Sequence, residues 1–149
     1  MRVTTVITNL SDKRRQKQWR FERGILRHLS IKGLKKHVEQ HFRPIMPFQF
    51  LVNPFLLDPV MDLGIDAYLI GAEFSRICYL GETDEEVKRR CELELQELSH
   101  SLFHILYGWF DTSGYAHEES LSIASDAFID YWWDRGLQEG KKRYRMKLH

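Results

Sequence analysis

Seven histidines, two cysteines and an acid-rich central stretch are the residues of this 149-residue chain best able to hold metals or move protons. The densest set is Glu97-Leu98-Ser99-His100-Ser101-Leu102-Phe103-His104, where spacings of three and four bring a carboxylate and two imidazoles to one side of a helix. Such ligands suit a divalent transition metal. With the apolar seam of the segment centred at 0°, a step of ~100° per residue places Glu97, His100 and His104 at roughly 180–240°, facing away from any helix that would add ligands. The Glu-x-x-His pair resembles half of a di-iron bundle pattern, but no second Glu-x-x-His occurs. These three therefore read first as exposed polar residues, and a metal-binding bundle enzyme is the weakest of three functional classes. His37 and His41, also four apart, would make a two-ligand pair on a solvated face.

Other catalytic chemistry finds little support. Asp62, Asp66, Glu73 and Arg76 share one helical side, where close acids would raise one another's pKa, yet the same stripe is what a buried helix shows to water. Asp126, Asp130 and Asp134 read in the same way as a wet face. The chain has no Gly-x-Ser-x-Gly nucleophile elbow and no phosphate-binding loop. Cys78 and Cys91 fall on buried-looking helix faces, where a thiolate is disfavoured. No catalytic residue and no cofactor is expected.

Charge is more informative. The net charge of +1 hides +9 over residues 1–43, −13 over residues 44–139 and +5 over residues 140–149. Basic ends flank an acidic middle. Arg14, Arg15, Arg20 and their neighbours, joined by Lys141 to Lys147, would contact phosphates if folding brought the ends together, with Trp19 or Tyr144 stacking on a base. The acidic middle can instead neutralise the ends within the chain. Nucleic-acid binding is thus the alternative to protein binding, which the Trp, Tyr and Arg content favours. The contact residues expected are Arg14, Arg15, Trp19, Arg20, Trp133 and Tyr144. Trp133 is included because it stands about 100° from Trp132, too far for one narrow core stripe, although packing beneath the proline-rich segment would also occupy it.

The elements that must position these groups are helical. A share of 43% apolar and 13% aromatic residues excludes a disordered chain, and the length suits one domain, residues 1–149, with one core. Residues 1–10 read as an extended lead, with Ser11 or Asp12 capping the first helix. The apolar stripe of Trp19, Leu26 and Leu29 shifts phase at Ser30, which predicts a kink or a break there. Residues 44–58, with Pro44, Pro47 and Pro54, form a non-helical apolar strap across the core. Asp58-Pro59 opens a helix ending at Gly81, with Val60, Gly64, Ala67, Gly71, Ser75 and Cys78 on one small-residue face that admits a close neighbour. Thr83 and Glu86 cap a third helix with the seam Val87, Cys91, Leu95, Leu98, Leu102, Ile105 and Trp109, closed by Asp111 to Gly114. A last helix runs from about Glu118 through Leu121, Ala124, Phe128, Tyr131 and Trp132, with a weak continuation past Gly136 and Gly140 into a basic tail, residues 140–149. The sum is an all-α single-domain bundle of four or five helices.

The segments Ala67-Tyr68-Leu69-Ile70-Gly71, Tyr79-Leu80-Gly81-Glu82, Leu106-Tyr107-Gly108-Trp109 and Trp132-Trp133-Asp134-Arg135-Gly136 resemble an uncharacterised family of small cytosolic proteins from Bacillus-type bacteria. The resemblance covers most of the chain and implies a bacterial cytosolic protein, with no activity to carry to any residue. It agrees with the poor signal-peptide character of residues 1–8, with the charges inside residues 60–80 that oppose membrane insertion, and with a pair of reduced thiols. The expectation is a cytoplasmic, non-membrane, non-enzymatic interaction or regulatory module whose partner is another cytosolic protein or a second copy.

Overall fold

A computed structural model describes the backbone of residues 2–110 and 117–146, and the side chains of those from residue 12 onward. The described residues form seven α-helices and one 3-10 turn and contain no strand: α1 (Arg2–Leu26), α2 (Ile31–Phe42), α3 (Gln49–Val52), the turn Pro54–Leu56, α4 (Leu57–Tyr79), α5 (Asp84–Arg90), α6 (Glu92–Tyr107) and α7 (Glu118–Arg145). The all-α class stands. The helix number exceeds four or five for reasons that are local to each element.

α4 and α7 are the spine. The small-residue face of α4 buries Val60, Gly64, Ala67, Gly71 and Ser75, while Asp62, Asp66, Glu73 and Arg76 stay outside. α7 runs parallel to it, so close that a Cβ on Gly71 would collide with the Trp133 carbonyl and one on Gly136 with the Tyr68 carbonyl. Gly140 meets Ser75 and Ala72 in the same way. This explains why α7 crosses two glycines that would otherwise weaken a helix: the continuation into the basic tail, expected to be weak, is a full helix through Arg145 because its glycines lie on α4.

The remaining helices lean on this pair. Ser30 caps α2, its hydroxyl accepting from the Gly33 amide at 3.0 Å, so the predicted break falls between α1 and α2. Leu34 of α2 and Phe128 of α7 both pack on Gly64, joining three helices around the rings of Phe128 and Phe42. Thr83 caps α5 through the Glu86 amide. The single third helix is instead two, parted at Cys91, whose φ of −92° and ψ of 1° depart from helical values. Beyond that break the buried seam passes through Ser99 and Leu106 rather than Leu98 and Ile105. Trp109 is consequently exposed. Asp111 to Gly114 lie outside the described residues.

Two further expectations change. Residues 2–10 are helical, not extended, and α1 runs through Ser11 and Asp12 without stopping. β-branched residues cost a helix only tenths of a kcal/mol each, and neither Gly nor Pro intervenes before Gly24. The strap is helical at Gln49–Val52 and Pro54–Leu56. It buries Met46, Phe50 and Leu56, but leaves Phe48, Leu51, Val52 and Phe55 outside. No described helix is long and apolar enough to cross a membrane.

Candidate functional site

Only one side of α1 reaches the core. Ile25 is buried, as is Leu29 just beyond the helix, and Phe21 is half-buried, whereas residues 12–20 are all exposed. The first half of the helix therefore stands beside the spine and leaves an open groove of about 760 Å³. α1 lines it with Arg14, Lys17, Gln18, Arg20 and Phe21, α4 with Glu73 and Arg76, and α7 with Arg143 and Tyr144. Five cations thus face one carboxylate. Burial first, then the charges of Glu94 and Glu22, push the Glu73 carboxyl up from its ordinary value.

The ends of the chain build this groove together. Arg143 lays its guanidinium on Gly24 of α1, where a Cβ would stand 2.5 Å from Nη2, and its Nε is buried without a hydrogen-bond acceptor among the described residues. Tyr144 stacks on Tyr79 at 5.6 Å between ring centres. The acidic middle meets the basic end at a different place: Asp84 of α5 accepts from Lys141 at 2.8 Å and from Gln138 at 3.1 Å. Those bonds, that of Lys141 foremost, hold the Asp84 carboxyl below the usual carboxylate range. Lys88–Asp130 and Arg90–Glu82 are further pairs, while no ion pair engages Arg14, Lys17 or Arg20 with described residues.

Of the six contact residues expected from sequence, Arg14, Arg20 and Tyr144 line the groove. Arg15 and Trp19 occupy the adjacent, outward side of α1, with Trp19 57% exposed beneath the Arg23 guanidinium at 4.6 Å. Trp133 is different. It is only 2% exposed, so its ring does not belong to the surface. α7 is enclosed by α4, α2 and α6 at once, which widens its buried arc enough to take in both Trp132 and Trp133. Trp133 lies beside Cys91 at the α5–α6 break. The groove residues missed in the sequence are Gln18 and Phe21, while Glu73 and Arg76 were read as part of a separate acidic stripe. Nothing local marks these four as one site, and only the tertiary fold joins them.

The family profile described as "Protein of unknown function (DUF2521)" matches residues 4–149, which takes in α1, α4 and α7 and with them the whole groove. The chain belongs to this family. Among curated relatives, the Uncharacterized protein YbaK of Bacillus subtilis (strain 168) is 27% identical over 144 residues, covering 95% of this chain and 97% of that protein. No solved structure matches the chain. The resemblance to a Bacillus-type family without an assigned activity is thereby confirmed.

Two histidine pairs of this family member differ from their sequence readings. His37 and His41 do not sit on a solvated face but in the seam between α2 and α7. The Trp132 indole donates to His37 Nδ1 at 3.0 Å, and His41 Nε2 donates to the Ala124 carbonyl at 2.8 Å. His37 also stacks on Tyr131 and Phe128. Burial first, and the His41 charge second, hold His37 below its ordinary value of 6.5. The unfolded chain takes up this proton near pH 6.5 while the folded chain resists it, so the stability is whole above that pH and declines as pH falls below it. Urea melts across this range are expected to show a shallower acid slope for His37→Gln; an unchanged slope would assign the pH dependence elsewhere.

The second pair, His100 and His104, does not point away from all partners. The shift of the α6 seam through Ser99 and Leu106 turns the two rings towards a cleft shared with the start of α7. Glu97 does not line that cleft. The thiols match expectation more closely. Burial is the main cause that raises both Cys78 and Cys91 to about 11, and Cys78 also donates to Asp84 at 3.4 Å. Neither is an activated nucleophile.

Proposed function

We propose that this family member is a non-enzymatic protein-interaction module that receives an acidic segment of a partner protein in the groove between α1, α4 and α7. The observation carrying this reading is the convergence of Arg14, Lys17, Arg20, Arg76 and Arg143 from three helices around one carboxylate, Glu73. Interface hot spots combine arginine with tyrosine and an apolar floor, which Tyr144 and Phe21 supply. The exposed side chains of α1 remain free to close on an occupant.

RNA or DNA is the second reading, because phosphates satisfy the same cations. A long polyphosphate leaving the groove would meet the acids of α5, α6 and early α7, and the sequence pI of about 7.8 lies below the range typical of nucleic-acid-binding domains. A short acidic peptide with interspersed phenylalanines fits within the groove. In fluorescence anisotropy such a peptide is expected to bind more tightly than single-stranded RNA of equal charge. The double substitution Arg14→Glu and Arg20→Glu, at two exposed positions, should weaken peptide binding at least about tenfold, or about 1.4 kcal/mol. Tighter RNA binding, or peptide binding indifferent to the substitutions, would reject the protein-partner reading. Light scattering separates a second copy from a different partner.

A further inference from the structure

The cleft between the end of α6 and the start of α7 lies apart from the basic groove and carries different chemistry. His100 and His104, one turn apart and both exposed, bring their Nε2 atoms to 3.0 Å from each other, with ring centres at 4.2 Å and planes 79° apart. Two imidazole nitrogens bound to one tetrahedral zinc ion at about 2.0–2.1 Å stand about 3.3–3.4 Å apart. The pair is therefore within a few tenths of an ångström of the spacing of two ligands on one cation, and breaking the hydrogen bond between the rings lets it open that far. Across the cleft, of about 720 Å³, stand Glu118 and Glu119 in the first turn of α7.

We propose that His100 and His104, completed by a carboxylate of Glu118 or Glu119, form a site for a divalent first-row transition cation such as Zn²⁺. Among the described residues no three ligating groups are yet converged, so the carboxylate arrives by a side-chain rotation within the open cleft. Without metal, one ring's Nε2–H donates to the other ring's Nε2. Coordination by both requires the donor ring to carry its proton on Nδ1 instead, a tautomer change with no net proton lost. Water fills the remaining positions, and imidazole with carboxylate is a ligand set that suits zinc, nickel and copper. The bound ion would tie the last turns of α6 to the first turn of α7. Glu97, the carboxylate suggested by spacing alone, has no part in it.

Zinc chloride titrated into chelator-treated, full-length protein tests the site by calorimetry and by thermal melting. One ion per chain with micromolar affinity and a raised Tm is expected. His104→Ala, at an exposed position, should weaken binding at least about tenfold and abolish the rise in Tm. Glu118→Gln with Glu119→Gln should weaken binding severalfold while the apo-protein Tm stays unchanged. Absence of stoichiometric zinc, or affinity unmoved by His104→Ala, would overturn the site. Affinity unmoved by the double glutamine variant would overturn the assignment of the third ligand.

Discussion

Gly136→Ala should lower the melting temperature, although alanine in the middle of a helix ordinarily raises it. Glycine is about 1 kcal/mol less favourable than alanine at such positions, so without tertiary contact the substitution would stabilise α7. The new methyl group would instead drive into the backbone carbonyl of Tyr68, an atom on a rigid helix that no rotamer change can move aside. α4 and α7 must separate, and everything packed between them loosens. Overpacking of this kind costs about 3 kcal/mol at the upper end of its usual range. For a chain of this length that is a fall of roughly 6–12 °C. Gly71→Ala meets the Trp133 carbonyl and Leu137 amide on the same seam, so the two substitutions together should cost less than their sum. Circular-dichroism melts decide the matter by sign: an unchanged or higher Tm for Gly136→Ala would mean that the two helices are not in backbone contact.

The other large effect is expected at Phe128. Its side chain is fully buried, touches Gly64 of α4 and faces Phe42, His37 and His41 at centroid distances of 5.5–5.9 Å. Truncation to alanine leaves a cavity where three helices meet, and Phe→Ala substitutions in such cores cost about 3–5 kcal/mol. The loss should exceed that of Gly136→Ala because α2 loses its anchor as well. It also has a second signature. With the ring removed, His37 is better solvated and its proton affinity should recover towards the ordinary value, reducing the acid slope of stability at the same time. Chemical denaturation would measure both, and a cost below about 1.5 kcal/mol would show that Leu34 and Phe42 hold α2 without it.

Some of these features are visible in the sequence because a single helix displays them. The run Val60, Gly64, Ala67, Gly71 and Ser75 keeps helical spacing and small size at once, and the neighbour it anticipates is α7. The Ser30 and Thr83 caps are equally local, each a side-chain oxygen three residues from the amide that it binds. The break at Cys91 has no such sign, since neither glycine nor proline marks it and the apolar seam runs through it. That break displaced the seam of α6, and with it the direction assigned to His100 and His104. His37 looked solvated because its partner, Trp132, lies 95 residues further along the chain. Trp133 looked superfluous because a wheel drawn for α7 alone does not show that three neighbours enclose it.

The groove belongs to this second category. Its cations were evident by charge, and three of the six expected contact residues line it, but their convergence depends on α7 continuing past Gly140 so that Arg143 reaches Gly24. The basic ends of the chain come together there, while Lys141 turns to the acidic middle through Asp84. The most direct test is a map of amide chemical shifts during titration with the acidic peptide. Shifts centred on Phe21, Arg76 and Tyr144, with His100 and the surrounding turns of α6 unmoved, are the predicted result. A footprint on α5 and α6, or none at saturating peptide, would contradict it.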